Sequence, residues 1–432
     1  MKTVKYFLVA MLYLCTAACD KDGSSDSDSD WGSDNNGGNG LGKGQIEMKA
    51  SPNSDNKISF YATTKKISID WGDGSAIEER ATNGNQTLFT HEYSDQNFKT
   101  ISITTEGLTY LCSSPNYYPK GFFQTGTLYE LHIGNCPDLK DLRCISYSSY
   151  GSVRLTELTI GKCDSLKYIN CESNSLTSLD VARCPALTEL RCSNNKLTSL
   201  NVSGCTALTV LDCSGSNGYN SNSNQLTSLD VSKNTALTEL YCSYNKLTSL
   251  NVSGCTALTV LDCSGSRYND GYSSYSSNQL TSLDVSNNTA LTELRCYSNQ
   301  LTSLDVSKNT ALNFLDCGSN QLTSLDVSKN TALTVLGCSD NKLTSLDVSK
   351  NTVLTYLGCA LNQLTSLVVS KNTALTELYC SNNQLSTSEL DNIFKALPVR
   401  ESARIGIGGN PGWGTCDRTI AENKGWRVGY NN

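Results

Sequence analysis

Cysteine is the residue type with the most chemical potential in this chain, and its spacing decides what that chemistry is. Of 20 cysteines, eleven recur in one column: Cys144, Cys171, Cys192, Cys213, Cys242, Cys263, Cys296, Cys317, Cys338, Cys359 and Cys380. Five more, Cys136, Cys163, Cys184, Cys205 and Cys255, recur in a second column. Zinc needs its ligands gathered into a tetrahedron, commonly from paired C-x-x-C knuckles. Thiols at whole-repeat intervals make rows instead, so they are read as small apolar core groups. A disulfide between neighbours such as Cys163 and Cys184 would need a geometry that stacked strands do not present well. Mostly free thiols are therefore expected. Histidine chemistry has little material, because only His91 and His132 exist and they lie far apart in sequence. No nucleophile with a base, no paired catalytic carboxylates and no phosphate loop is visible. A non-catalytic protein with no cofactor and no metal is the expectation.

Binding chemistry has better candidates. Two outward columns flank the inward leucine of each cysteine strand. The first reads Asp141, Tyr168, Glu189, Val210, Glu239, Val260, Glu293, Phe314, Val335, Tyr356, Glu377. The second reads Arg143, Asn170, Arg191, Asp212, Tyr241, Asp262, Arg295, Asp316, Gly337, Gly358, Tyr379. The other half of each unit instead keeps Thr then Ser outward in nine consecutive coils, from Thr177-Ser178 to Thr365-Ser366. That half reads as inert, whereas exposed aromatic and apolar residues are what an interaction surface needs. Tyr168, Arg191, Tyr241, Arg295, Phe314, Tyr356 and Tyr379 are the ligand-binding candidates there. Drift on a tolerant surface is the alternative.

Three coils also exceed the period, by six, eight and twelve residues, all just after the cysteine strand. The insertions carry Tyr147 and Tyr150, then Tyr219, then Tyr268, Tyr272 and Tyr275 among Ser, Gly and Asn. Tyrosine supplies amphipathic contact area at low entropic cost, and insertions on one edge of a solenoid map to one rim. These six tyrosines join the candidate site, with harmless loops as the alternative. Asp284, Asp305, Asp326 and Asp347 also stack on successive coils, with Lys308, Lys329, Lys350 and Lys371 nearby. A solvated, partly compensated charge ladder is preferred there to a calcium site.

The element that positions all of this is a 21-residue unit, L-T-x-L-x-C-S-x-N-x-L-T-S-L-D-V-S-x-N-T-A, running over residues 128–384. It is long enough for two short strands and two turns. In the copy starting at Leu187, Leu190 and Cys192 point inward, followed by Leu197, Leu200 and Val202. Parallel strands stack about 4.8 Å apart, and each coil buries its leucines only against its neighbours. Asn195, Asn245, Asn299, Asn320, Asn341, Asn362 and Asn383 form a further column. An Asn side chain offers donors and an acceptor to its own turn and to an adjacent coil. A second turn column exchanges Asn with Cys, from Cys136 to Asn372.

This pattern resembles the short, cysteine-laddered leucine-rich repeats of internalin-type bacterial surface proteins. The resemblance implies a mainly β fold: a right-handed solenoid of about eleven coils with end caps, whose cysteine strands line a concave binding side. An open stack needs lids. Residues 108–127, with Phe122 and Phe123, are expected to cap the first coil. Residues 385–432 are expected to cap the last, with a capping box at Ser386-Thr387-Ser388-Glu389, a helix through Leu390, Ile393, Phe394 and Leu397 ended by Pro398, then strands at 404–407 and 426–430.

Residues 45–107 alternate as half-buried strands do, Ile67, Ile69 and Trp71 with Ser68 and Asp70, and Ile101 and Ile103 with Ser102 and Thr104. Asp70-Trp71-Gly72-Asp73-Gly74-Ser75 with His91-Glu92-Tyr93 resembles the signature of PKD-like β-sandwich domains, which implies a spacer or weak binding module. Turn capping by Asp70 and Asp73 is favoured over calcium ligation. Residues 1–19 read as a signal segment, with a basic start and an apolar run too short to span a bilayer. Thr16-Ala17-Ala18-Cys19 resembles a lipoprotein cleavage box with Cys19 as the acylated residue, although Thr16 stands where Leu is usual. Residues 20–44 read as a disordered tether, and its acidic run resembles the surface-export signal of Bacteroidetes lipoproteins.

The net charge of -7 without a basic stretch argues against nucleic acid. Together these readings imply a monomeric, lipid-anchored protein of the outer membrane, facing the cell exterior. It would recognise a protein or peptide ligand on its repeats, with membrane contact only through the lipid. A glycan ligand, or a structural spacer without any ligand, is the alternative.

Overall fold

Alternation sets the first elements. β1 (Gln45–Ser51) buries Ile46, Met48 and Ala50, and β2 (Lys57–Thr63) buries Ile58, Phe60 and Ala62. β3 (Lys66–Asp70), β4 (Glu78–Ala81), β5 (Gln86–Glu92) and β6 (Lys99–Glu106) follow. One antiparallel sheet runs β4-β3-β6-β1, and β2 pairs antiparallel with β5. Their apolar faces share one core, in which Phe60 stacks on Phe89 at 5.4 Å and tilts against Trp71 at 5.9 Å. The structure is a computed structural model that describes residues 40–53, 55–112, 127–146, 154–216, 223–266 and 277–429. Cys19, Phe122, Phe123 and the insertion tyrosines Tyr147, Tyr150, Tyr219, Tyr268, Tyr272 and Tyr275 lie outside the described residues. No helix among the described residues is long and apolar enough to cross a membrane.

The W-G-D-G-S turn and the H-x-Y segment form one unit. Asp70 Oδ1 accepts from Gly72 N at 2.9 Å and Asp73 Oδ1 from Ser75 N at 3.0 Å, so both aspartates cap their own turn. His91 Nε2 lies 2.8 Å from Asp73 Oδ2, its ring stacks on Trp71 at 5.1 Å, and the Tyr93 hydroxyl donates to the Trp71 carbonyl at 3.0 Å. Hydrogen bonds from Ser75 and from His91 hold the Asp73 carboxyl well below its ordinary range.

Both sheets of this small domain continue into the repeats. β7 (Tyr110–Cys112) pairs antiparallel with β2 and parallel with β9 (Asp141–Arg143), the first cysteine strand. β8 (Thr127–Ile133) pairs antiparallel with β1 and parallel with β10 (Glu157–Ile160). The first coil therefore has its edges paired by the preceding strands on two sides, which removes an exposed sheet edge.

Beyond β9, three-residue strands stack parallel and in register from Tyr168–Asn170 to Glu377–Tyr379. Their central residues, from Ile169 through Leu294 to Leu378, are fully buried. Among the described residues, the second half of the unit is strand at Thr127–Ile133, Glu157–Ile160, Ser178–Asp180 and Ser199–Asn201, plus a bridge between Asp230 and Asn251. Side chains hold the remainder. Asn320 Nδ2 donates to Cys296 O at 3.0 Å and Cys317 O at 3.1 Å, while its Oδ1 accepts from Leu301 N at 3.0 Å. Each such Asn thus ties its own turn to the preceding coil. In the second turn column, Asn330 Nδ2 donates to Val306 O and Asn309 O, both at 2.9 Å, but its buried Oδ1 has no protein partner. Asn234, Asn288, Asn309, Asn351 and Asn372 share that orphaned acceptor. Cys205 at the same position donates to Val181 O at 3.1 Å and leaves no such acceptor behind, which rationalises the exchange of Asn and Cys.

The described cysteines are free thiols, and all but Cys416 are buried. Burial pushes Cys163 up to about 11 and Cys171, Cys205 and Cys380 up to about 12, so these thiols stay protonated and inert. The aspartates of the exposed ladder cap their own turns: Asp284, Asp305, Asp326 and Asp347 accept from the backbone N–H two residues on, at 2.8 or 2.9 Å. At the far end, α1 (Thr387–Ala396) buries Leu390, Ile393 and Phe394 behind its N-cap Ser386. Ser386 Oγ accepts from Glu389 N at 3.3 Å. Strands Ala403–Gly406 and Trp426–Gly429 then extend the sheet, and Trp426 is buried.

Candidate ligand-binding face

In each cysteine strand the central leucine points into the core, so the residues on either side of it point out of the sheet. The in-register stack turns these residues into two continuous columns on one open face. Charged groups there pair along their own strands. Arg143 Nε lies 2.9 Å from Asp141 Oδ1, and Arg191 and Arg295 each place Nε 2.5 Å from Glu189 and Glu293. The hydroxyls of Tyr241 and Tyr379 donate to Glu239 and Glu377 at 3.0 and 2.9 Å. Between coils, the Arg143 guanidinium lies 4.7 Å from the Tyr168 ring centre, and that of Arg295 lies 4.5 Å from Phe314.

Acids outnumber bases on this face. Between Asp141 and Tyr379 the two columns hold eight carboxylates and three arginines. Asp212 accepts from Ser214 N at 3.0 Å and Ser214 Oγ at 2.6 Å, and Asp262 accepts from Ser264 N at 3.0 Å. Burial nevertheless raises both carboxyls, and that of Glu172 beside them, above the ordinary range. Carboxylates held at such a cost on an outward face are candidates for ligand contact.

The face dips once. A pocket of about 440 Å³ opens over Gly337, where the second column loses its side chain. Phe314 and Tyr356 wall it on either side of Val335, and Tyr297 closes a third side. The Asp316 carboxylate leans across the dip: a Cβ on Gly337 would lie 2.9 Å from Asp316 Oδ1, which also accepts from Gly318 N at 3.2 Å. Tyr356 leans over Gly358 in the same way and lies 5.7 Å from the Tyr379 ring. At the margin, the Tyr244 and Tyr297 hydroxyls meet at 2.5 Å, bridging across the coil of Cys263.

The seven candidates on the cysteine strands therefore share one face but not one spot. Tyr168 and Arg191 sit on neighbouring coils, Tyr241 lies two coils beyond Arg191, and Arg295, Phe314, Tyr356 and Tyr379 crowd the last coils. Only Phe314 and Tyr356 line the pocket. Sequence reasoning did not select Asp316, Gly337, Ser339 or Tyr297, which complete it. The available signal was a pair of glycines in a column of long side chains. Elsewhere, the fold brings His132 beside Glu130 and Glu157, with ligand atoms within 4.8 Å of one another. The Lys49 ammonium already sits 2.7 Å from Glu130, so this group reads as an ion network around a resident cation.

The leucine-rich-repeat family matches residues 374–397, and a second form of the same repeat matches residues 193–210. The chain carries leucine-rich repeats. Among solved structures, these repeats are similar to the functional domain of InlJ from Listeria monocytogenes, described as including a cysteine ladder. Identity is 34% over 66% of this chain, with a TM-score of 0.49, and the chain spans 61% of that domain's length. The internalin InlF from Listeria monocytogenes is 23% identical over 62% of this chain and 81% of its own, with a TM-score of 0.49. A leucine-rich-repeat protein of Leptospira interrogans is 21% identical over 68% and 90%, with a TM-score of 0.43. No curated protein matches the chain.

Proposed function

We propose that this protein is a non-catalytic binding protein that recognises a protein or peptide ligand through the open face of its cysteine strands. One observation carries the reading. The Thr-Ser columns of the second half-repeat are exposed and uniform, whereas the cysteine-strand columns vary from coil to coil among aromatic, acidic, basic and glycine residues. A stalk needs no such asymmetry, because packing alone is satisfied by the inward leucines and asparagines. Recognition runs by shape and hydrogen bonding, with half-buried aromatic anchors and charge pairs already ordered along the strands. The insertion tyrosines Tyr147, Tyr150, Tyr219, Tyr268, Tyr272 and Tyr275 are counted as further ligand contacts of the same reading. Acylated Cys19 anchors the chain to the outer membrane, the acidic tether projects it outward, and the PKD-like strands act as a spacer fused to the first coil. The protein works as a monomer.

The test is ligand capture. The immobilised full chain is compared with a variant in which Val210→Arg and Val260→Arg block two coils of the face, using envelope and host-cell extracts. Arginine occurs naturally in the neighbouring column, so the fold tolerates it. Capture lost in the variant supports the reading; capture that survives the blocked face refutes it. Retention on immobilised oligosaccharides alone would favour the glycan alternative.

A further inference from the structure

The surface of the second half-repeat departs from its pattern at the first two coils. From Ser178 to Ser366 its first outward position is serine in every coil, and from Asp180 to Asp347 its second is Asp or Asn. On β8 and β10 the same positions carry Glu130 and His132, then Glu157 and Thr159, paired in register. Two carboxylates directly opposite one another repel. Packing does not require them, since Leu131, Ile133, Leu158 and Ile160 fill the core from the inward side. Glu47 adds a third acid opposite His132 across the β1–β8 pairing. Lys49 offsets part of this charge, but its ammonium takes only Glu130 Oε1, at 2.7 Å.

Glu130 Oε2 instead faces His132 Nε2 across 3.8 Å, too long for a hydrogen bond. Two ligands about 2.0–2.1 Å from one tetrahedral ion lie about 3.3–3.4 Å apart, so this gap closes around an ion with a shift of about 0.4–0.5 Å. A carboxylate oxygen of Glu157 lies within 4.8 Å of the ligand atoms of both residues. The other ring nitrogen of His132, Nδ1, is 3.0 Å from Thr159 Oγ1. With the proton on Nδ1 and donated to that hydroxyl, the Nε2 lone pair is left for a metal, as in metal-bound histidines generally.

We infer that Glu130, His132 and Glu157 form a site for a divalent ion of the zinc class, bridging β8 and β10. One imidazole nitrogen with two carboxylate oxygens suits zinc and its first-row neighbours better than calcium, which takes about six to eight oxygens. The bound ion replaces repulsion across the strand pair by a cross-link, and its remaining position is open to water. Lys49 stays on Glu130 Oε1 as an outer partner. The site lies on the sheet of the second half-repeat and is independent of the open-face reading. Its ligands meet only through coil stacking, so no sequence motif announces it.

Cobalt(II) titrated into the metal-free full chain is the probe, because only thiolate ligation adds an intense ultraviolet charge-transfer band to its spectrum. The chain should bind one equivalent saturably, with visible d–d bands and no thiolate band, and zinc should displace the cobalt. His132→Ala should abolish this signal. Glu157→Gln, which keeps the side-chain shape, should weaken binding at least about tenfold, and Thr159→Val, which removes only the partner of Nδ1, about tenfold. Lys49→Met should tighten binding, since it removes a positive charge beside the ion. Asp180→Asn, one coil along, should change nothing. Equal circular dichroism of each metal-free variant and the wild type separates lost ligation from lost fold. Failure of the wild-type chain to bind saturably, a thiolate band, or binding indifferent to both His132→Ala and Glu157→Gln would overturn the inference.

Discussion

Two asparagines in adjacent turn columns provide a sharp test of how this solenoid is held together. Asn320 and Asn330 are both buried, at 9% and 0% exposure, so burial alone ranks Asn330 as the costlier to replace. Hydrogen bonding ranks them the other way. Replacing Asn320 by Cys removes the acceptor of Leu301 N and the donors to Cys296 O and Cys317 O. A buried N–H left without an acceptor costs about 1–3 kcal/mol, and each lost bond adds about 0.5–1.5 kcal/mol. The expected loss is therefore about 2–6 kcal/mol. At Asn330 no backbone N–H depends on the side chain, and both acceptors keep a second donor, Val306 O from Asn309 N at 3.0 Å and Asn309 O from Leu312 N at 3.1 Å, as Cys296 O and Cys317 O do from Asn299 and Asn341. The cysteine thiol can reach the carbonyl as Cys205 does, and the orphaned Oδ1 disappears. Asn330→Cys should thus change stability by less than about 1 kcal/mol in either direction. Equilibrium urea unfolding under reducing conditions measures both, provided two spectroscopic probes give coincident transitions, since repeat arrays can lose two-state behaviour. If Asn330→Cys costs as much as Asn320→Cys, the hydrogen-bond account of the two columns is wrong.

Further outcomes follow from the buried thiols, the outward acids and the two ends of the functional reading. Sixteen buried thiols have raised pKa values, so the folded state retains protons that the unfolded chain releases above about pH 9. Stability is intact below the unfolded thiol value and falls as pH rises through it, by up to about 1.4 kcal/mol per thiol per pH unit. Cooperative alkaline unfolding should occur between about pH 9 and 10.5, and circular dichroism showing a folded chain at pH 11 would contradict it. Asp212→Asn should raise the melting temperature at pH 7, because burial disfavours the carboxylate in the folded state. That gain should vanish as pH falls through the carboxyl range, and a lowered melting temperature at pH 7 would count against the electrostatic account. Replacing Tyr268, Tyr272 and Tyr275 together by Ala should weaken ligand capture at least about fivefold with the urea midpoint unchanged; equal capture removes them from the site. Growth on labelled fatty acid should label the wild-type chain and not Cys19→Ala, and label in both would reject Cys19 as the anchor.

Much of this architecture is local in origin and was legible as periodicity. A leucine every few residues and a cysteine every 21 dictate an inward column whatever surrounds them, since a coil can bury its apolar side only against copies of itself. The capped helix at 387–396 is also local, because Ser386 acts on a backbone group three residues away. The open face was legible as a list of outward residues, but not as a site. Its pocket depends on Asp316 and Tyr356 leaning over glycines, and on which coil lies in register with which. Insertions of six, eight and twelve residues shift sequence spacing without shifting that register.

What the sequence by itself determined is the repeating unit: its inward leucines, its protonated thiols, its asparagine turns and the two columns free to vary. What only the tertiary structure decided is everything that crosses between units. That includes the small domain's two sheets running into the first coils, the pairing of Glu130 with Lys49 and His132, the unequal bonding of the two asparagine columns, and the aromatic, acidic pocket over Gly337. The reason is physical. Periodicity specifies which way a side chain points, whereas the partner it meets is set by inter-coil stacking and rotamer choice, neither of which is encoded within a single repeat.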